Sequence, residues 1–202
     1  MKPVVEFYFD LGSPASYLAF TQLPGICQAT DAELIYRPML LGAVFQATGN
    51  ASPVTVPHKG RYMLKDLARF AERYGVPMRF NPFFPINTLN MMRLVTAVQQ
   101  QAPQQLVAVL ETLFNGLWVE GLNLGDEGVL SERLNRAGID AALWLPRTQA
   151  PEVKQALKDA TEQAVARGVF GAPSCFVDGE LYFGQDRLDF VEQALRRSAQ
   201  AQ

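Results

Sequence analysis

Segments with strand character lie only near the two ends of this 202-residue chain, and the long stretch between them has helical spacing. Residues 4–9, Val-Val-Glu-Phe-Tyr-Phe, form a β-branched and aromatic run that predicts a strand, and residues 33–37 predict a second one. Between them, a segment that starts with a proline predicts a helix from about 14 to about 28, bent or frayed in its later half by Pro24-Gly25. A βαβ opening of this kind places two parallel strands side by side.

The middle of the chain, from residue 39 to about residue 168, is expected to be helical throughout. No repeat period and no low-complexity tract occurs in it. Its apolar residues recur at intervals near 3.6, which is the period of helices with one buried face. The rows that carry this pattern are Leu64-Leu67-Ala68-Ala71, Leu89-Met92-Leu94-Val95-Val98, Leu106-Val109-Leu110-Leu113-Phe114-Leu117 and Val153-Ala156-Leu157-Ala160-Ala164.

The last part of the chain predicts a β-hairpin followed by a helix. Residues 174–177 are apolar, Asp178-Gly179 is a strong two-residue turn signal, and residues 180–183 form the returning strand. A final helix is expected from about 186 to 199. The full order predicts an α/β protein with a thioredoxin fold (βαβ…ββα) that carries a large all-helical insertion. The thioredoxin-like domain would then be residues 1–38 and 169–202, and the insertion domain residues 39–168.

Charge and cysteine content exclude several classes of function. A net charge of -2 and the lack of any long Lys/Arg run argue against binding to nucleic acid or to an anionic membrane surface. No apolar run reaches membrane-spanning length, and a cytoplasmic location is expected. Two distant cysteines, Cys27 and Cys175, and a single histidine, His58, leave no zinc motif, no C-x-x-C redox motif and no expected metal site.

The junction of the first strand and first helix is the predicted reactive position, since thioredoxin-like folds place their reactive group there. This chain has Ser13 and Ser16 where a redox protein has two cysteines. A serine hydroxyl, together with free N–H groups and the helix dipole, can stabilise a thiolate that a cofactor supplies. The alternative is that Ser13 only caps the helix, and the local sequence leaves both interpretations open.

Three motifs, in order and at these separations, carry a family resemblance: Phe7-Tyr8-Phe9-Asp10-Leu11-Gly12-Ser13-Pro14-Ala15-Ser16-Tyr17, Gly168-Val169-Phe170-Gly171-Ala172-Pro173-Ser174 and Phe183-Gly184-Gln185-Asp186. The chain resembles, over nearly its whole length, the DsbA-like group of 2-hydroxychromene-2-carboxylate isomerases and kappa-class glutathione transferases. The resemblance implies glutathione as cofactor, a small aromatic acid as substrate and a homodimer. It also implies that Ser13 is catalytic and contacts the cofactor thiol.

The two later motifs are implied to bind glutathione through its backbone and its γ-glutamyl end. Ala172 would pair with the cysteinyl backbone, next to a cis Pro173 that faces the first helix. Gly184, Gln185 and Asp186 match a Gly-(Ser/Asn)-Asp pattern for the γ-glutamyl end, from which Gln185 departs. The alternatives are a proline that only ends a loop and an Asp186 that only caps the last helix.

Residues of the insertion are implied to complete the site. Asn50, Lys59 and Asp66 match segments that approach the glycyl carboxylate of glutathione, although each is also an ordinary surface residue type. Asn87 matches an asparagine that contacts the aromatic acid in the isomerases. Those isomerases carry a lysine where this chain has Phe45, so that the substrate carboxylate is held differently here or the substrate is another molecule.

The resemblance implies isomerisation of a 2-hydroxychromene-2-carboxylate-type compound by reversible addition of glutathione thiolate. Two alternatives stay open. One is a kappa-like glutathione transferase or peroxidase, and the other is a thioredoxin-like binding module without catalytic activity.

Overall fold

The computed structural model describes residues 2–200, and its centre is a four-stranded sheet with the order β2-β1-β3-β4. Strand β1 (Val4–Phe9) pairs in parallel with β2 (Glu33–Pro38). On its other side β1 pairs antiparallel with β3 (Ser174–Val177), and β3 pairs antiparallel with β4 (Glu180–Phe183). All four strands lie where the sequence predicts them, and the thioredoxin-type order is confirmed.

The β3–β4 hairpin has the turn that its sequence predicts. Asp178 has φ 50° and Gly179 has φ 83°, so both central residues have the positive φ of a type I′ turn. Because of this turn, β4 runs antiparallel beside β3. The chain after β4 therefore begins at the same end of the sheet as the C-terminal end of β1.

Helix α1 (Pro14–Thr30) runs two residues beyond its expected end and passes through Pro24 without interruption. Leu23 and Cys27, on either side of the proline, are buried against the sheet. Burial of this face offsets the backbone hydrogen bond that proline cannot donate. The helix ends at Asp31, which has the left-handed conformation with φ 50°.

The helical block lies between β2 and β3, as predicted. It consists of seven helices: α2 (Leu41–Thr48), α3 (Pro57–Tyr74), α4 (Leu89–Gln101), α5 (Leu106–Trp118), α6 (Glu127–Arg136), α7 (Ala141–Trp144) and α8 (Pro151–Ala166). Helix α9 (Leu188–Gln200) follows β4 and begins two residues later than expected, after a 3₁₀ turn at Gln185–Arg187. One continuous cluster of buried side chains joins the sheet to the helical block, so the division into two domains stays a prediction.

Aromatic packing attaches the helical block to the sheet. Phe114 of α5 is fully buried, and its ring lies 4.9 Å from that of Phe20 and 6.0 Å from that of Phe9, centroid to centroid. Trp118, at the end of α5, donates an indole N–H hydrogen bond of 2.8 Å to the carbonyl of Leu11. This bond anchors the turn between β1 and α1, where the reactive position is expected. None of the helices within residues 2–200 is long and apolar enough to cross a membrane.

We expect Phe114→Ala to destabilise the protein strongly, because it leaves a cavity in the buried core. The free energy of unfolding should fall by about 3–5 kcal/mol in urea denaturation. Val107→Ala is the control, since Val107 is on the same helix and 46% exposed; it should change stability by no more than about 0.5 kcal/mol. A loss below about 1 kcal/mol for Phe114→Ala would contradict this packing.

The two cysteines are buried and unpaired, and burial raises the pKa of Cys27 to about 11 and that of Cys175 to about 12. Because both thiols stay protonated at neutral pH, we expect no dithiol–disulfide exchange activity. An aromatic disulfide reagent should label both thiols in guanidinium and neither in the native protein at pH 8. Insulin reduction that disappears when either cysteine is replaced would show this expectation to be wrong.

Candidate functional site

Ser13 is both the cap of α1 and part of a cavity wall, so the two interpretations of this residue are compatible. Its Oγ accepts a hydrogen bond of 3.1 Å from the N–H of Ser16, as a helix cap does. The same oxygen donates its proton to the carbonyl of Ala172 at 3.1 Å. Ser16 itself is fully buried, and its Oγ has no hydrogen-bond partner. It therefore lies behind Ser13 and not in the cavity wall.

The cavity in front of Ser13 has a volume of about 670 Å³, which is in the range of small-molecule sites. It lies between the start of α1, the helices α2 and α3, and the segments on either side of the β3–β4 hairpin. Nine of the ten residues that the sequence singles out line it: Ser13, Asn50, Lys59, Asp66, Ala172, Pro173, Gly184, Gln185 and Asp186.

Asn87 is the residue that the structure does not bring into this cavity. Its side chain is exposed, and its Oδ1 accepts a hydrogen bond of 3.0 Å from the N–H of Leu89 at the start of α4. Its neighbour Phe84 does line the cavity, while Phe83 is 52% exposed. A contact between Asn87 and a substrate stays a prediction.

The loop before β3 presents backbone groups to the cavity. The Ala172–Pro173 peptide bond is cis, as expected. Within residues 2–200 the N–H of Ala172 has no acceptor, and its carbonyl accepts only the Ser13 hydroxyl. The carbonyl of Pro173 accepts the N–H of Gly184 at 3.0 Å, which joins this loop to the segment after β4.

The Gly184–Gln185–Asp186 turn differs from its expected form. Gly184 has φ 98°, a conformation that glycine adopts without strain. Asp186 lies inside the 3₁₀ turn and not at the N-cap of α9, so the alternative that it only caps the last helix is wrong. Its carboxylate is 42% exposed and pairs with Arg187. Gln185 is buried, and both its backbone carbonyl and its side chain contact the hydroxyl of Tyr74.

Helix α3 turns one face toward the cavity. Lys59, Met63 and Asp66 follow one another at helical spacing and all line the cavity, which confirms that Lys59 and Asp66 share a face. Asp66 is 3.6 Å from the guanidinium of Arg69, whereas Lys59 has no carboxylate within ion-pair distance in the described part of the chain. Lys59 is therefore available to an anion.

Asn50 already has partners on both sides of its amide. Its Nδ2 donates to the carbonyl of Phe170 at 2.8 Å, and its Oδ1 accepts the N–H of Ala51. The first of these bonds connects the segment after α2 to the loop before β3. In this arrangement Asn50 lines the cavity next to the loop before β3.

Most of the remaining wall is apolar, with Ser52 and Thr55 as polar exceptions. Phe45 lies there, and among the residues that the structure describes Lys59 is the one Lys or Arg in the cavity lining. The apolar residues of the wall include Leu41, Phe45, Met63, Phe84, Phe170 and Phe183.

Asp10 supports the reactive turn, and the sequence interpretation did not single it out. Its carboxylate is buried and accepts 2.8 Å hydrogen bonds from the N–H groups of Gly12 and Leu41. Burial raises its pKa, and the hydrogen bonds partly oppose this shift. The Asp-x-Gly spacing after a strand signals the local bond to Gly12, but nothing in the sequence signals the bond to Leu41, 31 residues away.

Residues 4–196 match a family model described as a DsbA-like thioredoxin domain. The chain is 34% identical to the 2-hydroxychromene-2-carboxylate isomerase of Sphingobium xenophagum, an alignment that covers 96% of this chain and 99% of that protein. It is 32% identical to glutathione S-transferase kappa 1 of Rattus norvegicus, covering 95% of this chain and 90% of the transferase.

A solved structure of a 2-hydroxychromene-2-carboxylate isomerase has a similar fold. It superimposes with a TM-score of 0.87 at 30% identity and covers 98% of this chain and 97% of that one. The residues matched by the family model, those aligned with the two relatives and those in the superposition all include the sheet and the cavity lining. The chain belongs to the DsbA-like thioredoxin family, in the group that contains the 2-hydroxychromene-2-carboxylate isomerases and the kappa-class glutathione transferases.

Proposed function

We propose that this protein is a glutathione-dependent enzyme that isomerises an aromatic-ring degradation product of the 2-hydroxychromene-2-carboxylate type. The observation that carries the proposal is the cavity in which the Ser13 hydroxyl and the start of α1 meet the Ala172 backbone, the Gly184–Asp186 turn and Lys59. Residues from four separate parts of the chain converge there with the chemistry that a tripeptide thiol requires.

The cavity residues fit glutathione along its length. The Ala172 N–H, which has no acceptor among the described residues, suits the backbone of the cysteinyl residue. Lys59 suits the glycyl carboxylate, with Asn50 and Asp66 beside it, and Asp186 suits the γ-glutamyl ammonium. Bound glutathione supplies a reversible nucleophile, which converts a conjugated double bond into a rotatable single bond and leaves when rotation is complete.

Ser13 can stabilise a thiolate without ceasing to cap α1. A hydroxyl has one proton and two lone pairs, and the bond from the Ser16 N–H uses only a lone pair. The proton, which otherwise goes to the Ala172 carbonyl, is free to turn toward a sulfur atom. The N–H of Ala15 also has no acceptor within residues 2–200 and lines the cavity at the positive end of the α1 dipole.

A kappa-like glutathione transferase or peroxidase is the second candidate, and Phe45 favours it. With Lys59 assigned to the glycyl carboxylate, no other Lys or Arg of the cavity lining is left for the carboxylate of an aromatic acid. The apolar wall around Phe45 and Phe84 suits an uncharged electrophile. An isomerase returns its glutathione, so consumption of glutathione with 1-chloro-2,4-dinitrobenzene or a hydroperoxide distinguishes the two reactions.

A binding module without catalytic activity is the remaining alternative. Calorimetry with glutathione tests it, because the enzyme proposals require binding and this module does not. A homodimer is proposed on the basis of the family resemblance alone, and the cytoplasmic location stays a prediction from the sequence.

We expect Ser13→Ala to raise the pKa of the thiol of bound glutathione and to slow turnover at neutral pH. A hydrogen bond to a charged group contributes about 1.5–3 kcal/mol, which corresponds to a rise of about one to two pH units. Ultraviolet absorbance of the thiolate, followed against pH with bound glutathione, measures the shift.

The control for Ser13→Ala is Asp126→Ala, which removes a side-chain cap from α6, outside the cavity. Both variants should lose about 1 kcal/mol of stability, as is typical for a lost N-cap. Only Ser13→Ala should move the thiol titration. If the Ser13 variant and the parent protein gave the same titration curve and the same turnover, Ser13 would act as a helix cap only.

We expect Asp186→Asn to weaken glutathione binding by roughly threefold to tenfold, since the charge that faces the γ-glutamyl ammonium disappears while the side chain keeps its size. Stability should hardly change, because the carboxylate is an exposed group that caps no helix. Asp189→Asn is the matched control, an exposed aspartate of α9 outside the cavity lining. Equal glutathione affinities for the two variants, measured by calorimetry, would exclude Asp186 from the site.

A further inference from the structure

Helix α3 carries Lys59 and Asp66, yet few of its side chains are buried against the rest of the protein. Only Gly60, Leu67 and Ala71 of its 18 residues are buried. Shallow packing of this kind leaves the position of a helix dependent on a small number of specific contacts. A specific contact is therefore needed to fix the distance between the α3 residues and the opposite wall of the cavity.

The hydroxyl of Tyr74, the last residue of α3, makes such a contact. Its oxygen lies 3.0 Å from the backbone carbonyl of Gln185 and 2.9 Å from Oε1 of the same residue. The ring is half-buried and packs on Phe70, with centroids 5.7 Å apart. A phenol is protonated at neutral pH and burial raises the pKa of Tyr74 further, so its hydroxyl acts as the donor.

Gln185 is the part of the Gly184–Asp186 turn that Tyr74 can reach. It is 5% exposed and lies between the glycine and the aspartate that line the cavity. The side chain of glutamine is long enough to bring its Oε1 to the phenol while the backbone carbonyl of the same residue lies beside it.

We propose that Tyr74 is a positioning residue for the γ-glutamyl end of glutathione. Its hydroxyl holds Gln185, and through it the Gly184–Asp186 turn, at a fixed distance from Lys59 and Asp66 on the same helix as Tyr74. The residues proposed to bind the two ends of the tripeptide are then held at one separation by α3 and the Tyr74–Gln185 contact. This inference rests on the proposed glutathione site, and Tyr74 itself does not line the cavity.

The test compares Tyr74→Phe with Tyr17→Phe. Tyr17 is a matched control because its hydroxyl also donates to a backbone carbonyl, that of Pro77, at 2.6 Å, and it lies outside the cavity lining. Each variant loses one hydroxyl and keeps its ring. Calorimetry measures the Kd for glutathione, thermal denaturation measures Tm, and thiolate absorbance measures the pKa of the bound thiol.

Tyr74→Phe should raise the Kd for glutathione roughly threefold to tenfold, the range expected for one hydrogen bond. The pKa of the bound thiol should stay at the parent value, because Ser13 and the start of α1 are untouched. Tyr17→Phe should lower Tm by at least as much as Tyr74→Phe and leave the Kd unchanged.

Three results would overturn the role of Tyr74 while the glutathione site stands: a parent-like Kd for Tyr74→Phe, an equal rise in Kd for Tyr17→Phe, or a changed thiol pKa in Tyr74→Phe. The last two would mean that the site responds to general loosening of the fold. Failure of the parent protein to bind glutathione would overturn both this inference and the proposed function.

Discussion

The antiparallel pairing of β1 with β3 is the constraint on which the site depends. Tyr8 pairs with Ser174, so the chain that leaves β1 and the chain that enters β3 meet at one end of the sheet. Residues 159 positions apart, Ser13 and Ala172, thereby come within hydrogen-bond distance. The pairing places a helix N-terminus opposite backbone groups of the loop before β3, and this combination suits the thiol and the peptide backbone of one ligand.

Buried polar contacts from the helical block hold the reactive turn in place. The Trp118 indole binds the Leu11 carbonyl, and the Asp10 carboxylate binds the N–H groups of Gly12 and Leu41. An isolated buried carboxylate is costly, and its hydrogen-bond donors offset that cost only while the turn and the start of α2 keep their positions. The helical block therefore supports the turn as well as forming the opposite wall of the cavity.

Local signals account for the parts of the structure that could be predicted. The aromatic strand β1, the Asp178-Gly179 turn and the apolar rows of α4, α5 and α8 each depend on residues close in sequence. The end of α1 beyond Pro24 and the 3₁₀ turn that contains Asp186 depend on tertiary packing, which local patterns do not contain. The family resemblance predicted the motifs that line the site. The bond of Asp10 to Leu41 and that of Tyr74 to Gln185 join segments that are distant in sequence, so local patterns do not predict them.

The central claim is that glutathione lies in this cavity with its sulfur at the start of α1. A crystal structure of the complex tests it most directly. We predict the sulfur within hydrogen-bonding distance of Ser13 Oγ, the cysteinyl backbone paired with Ala172, and the γ-glutamyl end at the Gly184–Asp186 turn. Glutathione bound elsewhere on the protein, or bound in the cavity with its sulfur turned away from Ser13, would contradict the claim.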